Sequence, residues 1–391
     1  MRVVLSTIGR FHSFDLARQL ERSGALTAIY TGYPRFKLGD TGVAPALIRP
    51  FPWLQAPYMA LIRHAWFRRT LEMRWARAAN VAHDRHVART LPDCDLVCVL
   101  SGAGVATAGE AKRRGIAYVC DRGSTHIRHQ DRVLAEEHER LGLPWRGVDP
   151  VMIEREEVEY AAADMITVPT RFVRETFLAR GVPASRVAVA PYGADVRIFG
   201  RTAGRDPDFR VLFAGQLDVR KGLHDLLAGF RRAALPRATL VLAGTAQRHT
   251  GALLQRFPVE RLEVLGHLSR PELAREMARA SVLVLPSLEE GMALVQAQAL
   301  ACGCPVVATR EAGAEDLFDD GVEGFIVPAR DPGAIAERLV RLATEPGLLD
   351  RMSAAAAARI GSIGSWDAYG LRILDIYREL LARPRAAAAG A

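Results

Sequence analysis

Short apolar runs alternate with amphipathic stretches along the first half of the chain. Runs typical of buried strands occupy residues 2–7, 26–30, 96–100, 116–120, 165–168 and 187–190. Between the first two runs, residues 14–23 carry apolar side chains at helical spacing and are followed by Gly24. Strands that alternate with helices predict a parallel sheet covered by helices on both faces.

The alternation stops at a polar segment and then begins again. Residues 191–195 and the stretch 200–208, which bears glycine and proline, have the composition of a linker. The second half then shows predicted strands at 210–214, 239–243, 261–265 and 282–285, and predicted helices at 223–234 and 271–280.

The length of the chain, 391 residues, exceeds what one hydrophobic core usually supports. We therefore predict an α/β fold with two domains, residues 1–195 and 196–365. Residues 366–391 form a last segment, in which an amphipathic helix at 366–381 precedes an alanine-rich tail that we expect to fray.

Residues 281–309, SVLVLPSLEEGMALVQAQALACGCPVVAT, point most directly to a function. The apolar run ends at Pro286, a short loop carries Glu290, and the pattern predicts a helix that ends at Gly303 before a further strand at 306–308. The first N–H groups of that helix would be unpaired, and they belong to Gly291, Met292, Ala293 and Leu294. Such a helix start suits a phosphate, and Glu290 would face the group that the phosphate carries.

A second motif lies at residues 213–222, FAGQLDVRKG, where a strand passes through a glycine into a basic turn and a helix. Lys221 is one of three lysines, with Lys37 and Lys112, in a chain whose other basic residues are arginines. A point-charge ligand of a phosphate would explain a lysine here. A solvated turn residue is an equally good interpretation of the spacing alone.

These two motifs together resemble those of a known family. Gly-x-Leu-x-x-x-Lys-Gly after a strand, followed by Pro-Ser-x-x-Glu-Gly-x-x-Leu-Val and Ala-x-Gly-x-Pro-Val-Val-Ala, is similar to the family-4 retaining glycosyltransferases with the GT-B fold. The resemblance covers the second domain and extends more weakly to residues 191–195 and to the first βα turn at Gly9. It implies two Rossmann-like domains facing across a cleft and a C-terminal helix that crosses back to the first domain.

The resemblance also implies roles for individual residues. Lys221 would contact the diphosphate of a nucleotide-sugar donor, and Glu290 would bond hydroxyls of the transferred sugar. The main chain near Leu268 would meet the base. The implied donor-binding residues are Gly9, Gly215, Gln216, Leu268, Gly291, Met292, Ala293, Leu294 and Gln298. Cations and oriented amides would neutralise the charge that grows on a departing nucleoside diphosphate.

Three positions depart from the family pattern. Gln298 stands where the family has a second glutamate for the ribose hydroxyls, so it keeps an acceptor and loses a charge. Gln216 replaces an arginine of the phosphate turn, and Arg220, beside Lys221, could supply the guanidinium instead. Ala293 replaces a glycine and adds a methyl group where the backbone would approach the donor.

The first domain holds three further candidates. The family commonly has a catalytic-region histidine after the strand at 116–120, and here Arg122 lies nearest, with His126 following. Either side chain could meet the donor phosphate or the acceptor hydroxyl, and a local ion pair between Asp121 and Arg122 is the alternative. His12 lies in the first βα loop, on the acceptor side, unless its role is structural.

No metal or other cofactor is predicted. Asp93 and Asp95 resemble a metal-binding Asp-x-Asp, but they precede a strand, where short acids commonly form turns. The cysteines lack the spacing of a zinc or redox motif, and we interpret them as reduced packing residues of a cytosolic protein. They are Cys94, Cys98, Cys120, Cys302 and Cys304.

The net charge of +8 is concentrated in the first half. Residues 49–90 carry eight arginines, interleaved with Trp53, Tyr58, Trp66, Phe67 and Trp75. Such a stretch could lie on an anionic membrane surface, or it could be a helical pair with aromatics packed inward and arginines solvated. No segment approaches ~18 consecutive apolar residues, so membrane contact would be peripheral. No nucleic-acid-binding motif accompanies the charge.

We therefore expect a cytoplasmic retaining glycosyltransferase that moves a hexose from a nucleoside diphosphate sugar to a hydroxyl acceptor in cell-surface glycan assembly, with a lipid-linked acceptor as one candidate. Two alternatives remain at this point. Another GT-B enzyme, such as a sugar-nucleotide epimerase, would need an acid/base set in the cleft. A non-catalytic, membrane-docked relative would keep the fold without binding a nucleotide sugar.

Overall fold

The protein is described by a computed structural model that covers residues 1–61, 69–200, 204–359, 361 and 364–383. The strands are β1 (Val3–Thr7), β2 (Leu26–Thr31), β3 (Ile48–Pro50), β4 (Leu96–Leu100), β5 (Ala117–Asp121), β6 (Met165–Val168), β7 (Val187–Val189), β8 (Arg210–Ala214), β9 (Thr239–Ala243), β10 (Leu262–Gly266), β11 (Val282–Leu285), β12 (Val306–Thr309) and β13 (Gly324–Val327).

Helices connect these strands. They are α1 (Ser13–Arg22), α2 (Gln55–Leu61), α3 (Arg69–Thr90), α4 (Val105–Arg113), α5 (Ile127–Arg140), α6 (Pro150–Ala162), α7 (Arg171–Leu178), α8 (Leu223–Ala233), α9 (Thr250–Arg256), α10 (Arg270–Arg279), α11 (Val295–Ala301), α12 (Pro332–Thr344), α13 (Leu348–Arg359) and α14 (Trp366–Ala382). No helix in the described part of the chain is both long and apolar enough to cross a membrane.

The strands form two sheets in which the paired strands run parallel. The first sheet has the order β3-β2-β1-β4-β5-β6-β7, and the second has the order β10-β9-β8-β11-β12-β13. Strands β1, β5, β8 and β9 are buried along their whole length, which explains why their sequences are mainly apolar, with polar residues only at their ends. The prediction of two Rossmann-like α/β units is confirmed.

The strand order decides where a ligand can bind. In the first sheet the chain leaves β1 toward β2 and later returns to the other side of β1 with β4; in the second sheet β8 has the same position between β9 and β11. At such a reversal the connecting loops diverge and leave a crevice at the carboxyl ends of the strands. The loops after β1 and β8 therefore border the expected sites.

The predicted strands are present, and each begins and ends within one residue of its predicted bounds. The structure adds β3 and β13, which the apolar pattern did not predict. The predicted helix after Pro286 is wrong at its start, because α11 begins at Val295 and not at Gly291.

The C-terminal helix α14 crosses back to the first domain and packs against α1, as the resemblance implies. Arg22 Nη1 donates to Asp367 Oδ1 at 2.9 Å, and Tyr369 and Tyr377 are buried in the contact. Of the predicted tail at 383–391, residues 384–391 lie outside the described residues.

The basic, aromatic stretch 49–90 is described except at 62–68. Trp53 is exposed, whereas the indole of Trp75 donates to the carbonyl of Leu54 at 3.0 Å. Arg49 Nη1 donates to the hydroxyl of Tyr30 at 2.9 Å. Both interpretations of this stretch, membrane contact and an ordinary surface, stay open.

A buried ionic cluster joins α5 of the first domain to α8 of the second. His224 Nε2 lies 2.8 Å from Glu137 Oε1, and Arg330 Nε lies 2.7 Å from Glu137 Oε2. Asp225 and Arg140 complete the cluster. Burial alone would lower the pKa of His224, but hydrogen bonds to Asp225 and Glu137 outweigh it and raise that pKa.

We predict that this contact stabilises the protein more at pH 6 than at pH 9. A histidine whose pKa is raised by folding contributes stability that is complete below the ordinary value of about 6.5 and is lost as pH rises through the raised value. The melting temperature of His224→Gln should therefore fall furthest below that of the wild type at pH 6. His86→Gln is the control, because burial lowers the pKa of His86. A deficit of His224→Gln that grows toward pH 9 would contradict the prediction.

Candidate active site

The loops that follow β8 and β11 bring three predicted residues together. Lys221 forms an ion pair with Glu290, and Arg220 Nη2 lies 4.0 Å from Glu290 Oε1. Ser287 Oγ donates to Glu290 Oε2 at 3.3 Å. Two cations thus flank one carboxylate at the carboxyl edge of the second sheet.

Gly222 allows this approach because its backbone is left-handed (φ +69°) and lies against the loop after β11. A Cβ atom at this position would lie 1.9 Å from the carbonyl oxygen of Pro286. The Lys221 N–H donates to Asp218 Oδ1 at 2.9 Å and closes the turn. The two residues of the Lys-Gly pair therefore have separate roles: Lys221 carries the charge, and Gly222 allows the turn to approach the loop after β11.

A cavity of about 290 Å³ opens beside this turn. Four of the predicted donor-binding residues line it, and they are Gly215, Gln216, Leu268 and Gln298. A larger cavity of about 730 Å³ lies between the two domains and includes His12, Leu294 and Gln298 in its lining. Because Gln298 borders both, a bound molecule could extend from one cavity to the other.

The backbone of residues 291–294 differs from the prediction. The Ala293 N–H is not free, because it donates to the carbonyl of Ala312 at 3.1 Å. The carbonyl of Gly291 accepts from Thr170 Oγ1 at 3.1 Å. These contacts hold the segment in a non-helical form, so the helix begins only at Val295. Met292 and Ala293 are buried, so the Ala293 N–H is not available as the phosphate cap that we predicted.

His12 pairs with a carboxylate that lies far from it in sequence. Its Nε2 lies 2.6 Å from Asp121 Oδ2, and Thr167 Oγ1 donates to Asp121 Oδ1 at 3.0 Å. The His12 ring also packs against Tyr192, with 4.2 Å between ring centroids. The loop after β1, which begins near Gly9, thus places an oriented imidazole at the wall of the larger cavity.

Arg122 is buried and has a different partner from the one that the sequence suggested. Its Nη1 lies 2.7 Å from Glu156 Oε2, and its Nη2 donates to Gln130 Oε1 at 3.1 Å. A local Asp121–Arg122 ion pair is therefore wrong, because Asp121 pairs with His12. These contacts, with a hydrogen bond from Arg122 Nε to the carbonyl of Thr125 at 2.9 Å, bury the guanidinium and support the loop at 122–126.

His126 caps the start of α5. Its Nδ1 accepts from the Arg128 N–H at 3.2 Å, and its ring lies about 5 Å from the rings of Tyr160 and Phe177. Burial, together with the charge of Arg122, lowers the pKa of His126 to about 4. This environment favours a neutral, structural imidazole. Its predicted contact with donor or acceptor stays a prediction.

The sequence singled out no role for Glu289, and the structure shows that its side chain has many partners. Its side chain has no exposed surface and accepts from the Thr125 N–H at 3.1 Å, from Thr125 Oγ1 at 2.8 Å and from Ser124. Gln130 Nε2 and Arg220 Nη1 donate to its other oxygen at 3.2 and 3.1 Å. Burial alone would raise the pKa of Glu289, but the charge of Arg220 and the bonds from Ser124 and Thr125 lower it.

The two aspartates of the Asp-x-Asp sequence, Asp93 and Asp95, lie away from this site. Asp95 accepts from the Arg2 N–H at 2.7 Å, and Asp93 pairs with Arg114, both at the amino end of β4. Among the described residues, one cluster has a ligand set suited to a metal: Glu137, His224 and Asp225. The Arg140 and Arg330 guanidinium groups beside that cluster oppose a cation. That the protein needs no metal stays a prediction.

Known proteins resemble the chain in both sequence and fold. Residues 208–345 match the family described as glycosyl transferases group 1. The D-inositol 3-phosphate glycosyltransferase of Xylanimonas cellulosilytica is 31% identical over 250 residues, which cover 58% of this chain and 60% of that protein. The chain thus spans about 60% of the length of this curated relative.

Solved structures match nearly the whole chain. Sucrose-phosphate synthase from Thermosynechococcus elongatus superposes with a TM-score of 0.70 at 20% identity, over 98% of this chain and 99% of that one. Anabaena HepE, in complex with UDP and glucose, gives a TM-score of 0.70 at 16% identity, over 97% and 100%. At these identities the likeness concerns the fold, which is GT-B.

We predict that Gly222→Ala destabilises the protein by about 3 kcal/mol, because a methyl group there adds a steric clash to a strained backbone. Chemical denaturation measures the loss. Gly251→Ala is the control, since Gly251 lies in α9 with open space around it and alanine favours helices. Equal stability of the two variants would show that the turn does not need its glycine.

Proposed function

We propose that this chain, whose residues 208–345 match the group 1 glycosyltransferases, transfers a hexose from a nucleoside diphosphate sugar to a hydroxyl acceptor with retention of configuration. The observation that carries the proposal is the ion-paired group of Lys221, Arg220 and Glu290 beside a cavity lined by the predicted donor residues. The chemistry of these groups matches what such a donor requires.

The donor would lie along the carboxyl edge of the second sheet. Its base and ribose would occupy the smaller cavity near Leu268 and Gln298. Its diphosphate would meet Lys221 and Arg220, and its sugar hydroxyls would donate to Glu290. When the sugar–phosphate bond breaks, negative charge grows on the leaving phosphate, and two fixed cations stabilise it.

Of the two retaining routes, the carboxylates of this cleft favour attack on the same face over double displacement. A double-displacement enzyme needs a carboxylate free to attack the sugar and a second one as acid. Glu289 accepts hydrogen bonds from four residues and is buried, so it is unsuited to attack. Attack of the acceptor on the face that the diphosphate leaves, with a phosphate oxygen taking the hydroxyl proton, needs no such pair.

The acceptor would bind in the larger cavity between the domains, where His12 is held by Asp121. We include a lipid-linked acceptor because the nearby first-domain surface exposes Phe11, Phe36 and Trp53 beside the arginine-rich stretch 49–90. A peripheral position at the cytoplasmic face of the membrane, in cell-surface glycan assembly, follows from that choice.

We predict that the wild type binds UDP-glucose more tightly than UDP and that Glu290→Gln loses this difference. Glu290 pairs with Lys221 and Arg220, so the variant can change the affinity for UDP itself, but of the two ligands only UDP-glucose offers Glu290 sugar hydroxyls; the ratio of UDP-glucose affinity to UDP affinity should therefore fall about tenfold. Calorimetric titration measures both constants. UDP-glucose is the first donor to test, because HepE was solved with UDP and glucose; GDP- and ADP-linked sugars follow.

Glu337→Gln, an exposed change in α12, is the control and should bind like the wild type. An unchanged preference for UDP-glucose in Glu290→Gln would remove Glu290 from the sugar site. If the wild type binds no UDP-, GDP- or ADP-linked sugar, the non-catalytic alternative replaces the enzyme. Isomerisation of the donor without an acceptor would instead identify an epimerase.

A further inference from the structure

The adjacent carboxylates Glu289 and Glu290 have different partners. Glu290 pairs with Lys221, while Glu289 reaches the first domain. The donors that Glu289 meets there belong to the loop after β5 and to the first turn of α5: Ser124, Thr125 and Gln130.

These bonds exist only while the two domains are in contact. A buried carboxylate is tolerated when charged or polar partners satisfy it, and most of the partners of Glu289 come from the opposite domain. Hydrogen bonds weaken steeply beyond about 3.5 Å, so a small separation of the domains would break this set together. The hydrogen bonds to Glu289 are therefore complete only when the two domains are closed.

The backbone of the same loop also docks on the first domain. Thr170 Oγ1 donates to the carbonyl of Gly291, and a Cβ atom at Gly291 would lie 1.9 Å from the carbonyl oxygen of Gly123. The segment that carries Glu289 and Glu290 is thus held by both domains.

Glu289 also fixes one of the two cations. Arg220 Nη1 donates to Glu289 Oε2 at 3.1 Å, whereas its other terminal nitrogen lies 4.0 Å from Glu290. Behind this pair, Arg122 donates to Gln130 Oε1, which leaves the Gln130 amide nitrogen directed at Glu289. Glu156 in turn pairs with Arg122. A chain of contacts therefore runs from α6 of the first domain to the Arg220 guanidinium.

We propose that Glu289 is a positioning residue that couples closure of the two domains to the orientation of Arg220 toward the donor diphosphate. Its carboxylate docks on Ser124, Thr125 and Gln130 when the cleft closes, and the same carboxylate holds the guanidinium. This inference rests on the proposed function, since it assigns Arg220 to a diphosphate.

Glu289→Gln tests the coupling. The amide can still accept from Ser124 and Thr125 with its oxygen, but its NH2 group then faces the Arg220 and Gln130 donors. We expect UDP affinity to fall about tenfold and the radius of gyration, from small-angle scattering with saturating UDP, to rise above that of the wild type. In a turnover assay, kcat should fall more than KM rises, because closure completes the site.

A second variant approaches the contact from the first domain. Ser124→Ala combined with Thr125→Val leaves the carboxylate in place and removes its hydroxyl donors. If these hydroxyls act through the Glu289 carboxylate, the first-domain variant should bind UDP more weakly on its own, and the triple variant that combines it with Glu289→Ala, which has no acceptor left, should lose little more UDP affinity than either parent. Should Glu289→Gln fail to fold, the UDP affinity of the first-domain variant tests the proposal alone, and an affinity equal to that of the wild type would contradict it. Glu337→Gln is again the control.

UDP affinity and scattering of Glu289→Gln that equal those of the wild type would overturn the proposal, as would additive losses in the triple variant. Failure of the proposed function would look different: the wild type itself would bind no nucleotide. In that case the radius of gyration and the melting temperatures of the same variants, measured without nucleotide, decide whether Glu289 joins the domains. If neither the radius of gyration nor the melting temperature changes, Glu289 does not hold the two domains together.

Discussion

The cleft of this protein depends on one buried carboxylate, because Glu289 belongs to one domain and takes most of its hydrogen bonds from the other. Two parallel sheets present the carboxyl ends of their strands to the same crevice, and topology alone leaves their separation undetermined. The bonds to Glu289 and the close approach of Gly291 to Gly123 hold the two sheets together at the crevice itself, while the cluster around Glu137 joins the domains between α5 and α8. The distance across the cleft in turn decides whether His12 and Glu290 can act on one bound molecule.

Local physics explains why most of the fold could be predicted. The central strands of a parallel sheet are buried on both faces, so they have mainly apolar sequences, and the apolar runs predict β6, β8 and β11 with their observed bounds. Strand β3 has three residues and ends in Pro50, which leaves no apolar run to recognise. The helix α11 was misplaced because contacts from Thr170 and Ala312, distant in sequence, hold the segment before it out of the helix.

The residues of the site likewise divide into those that local motifs reveal and those whose partners are distant in sequence. Lys221 and Glu290 lie in two local motifs, and the structure brings them together in an ion pair. Pairing across long stretches of sequence could not be predicted: His12 meets Asp121, and Arg122 meets Glu156 instead of its neighbour. Glu289 lies beside a residue of the same type, so composition and spacing gave no sign that the two carboxylates face different domains.

We propose that the basic turn after β8 binds a nucleoside diphosphate, and the substitution Lys221→Ala tests this binding. Calorimetric titration with UDP should show at least a tenfold loss of affinity, because a charge-assisted contact to phosphate is removed. Lys112→Ala, which changes an exposed lysine of α4, should bind UDP like the wild type. If Lys221→Ala binds UDP as tightly as the wild type does, the turn is not a phosphate site and the account of the cleft is contradicted.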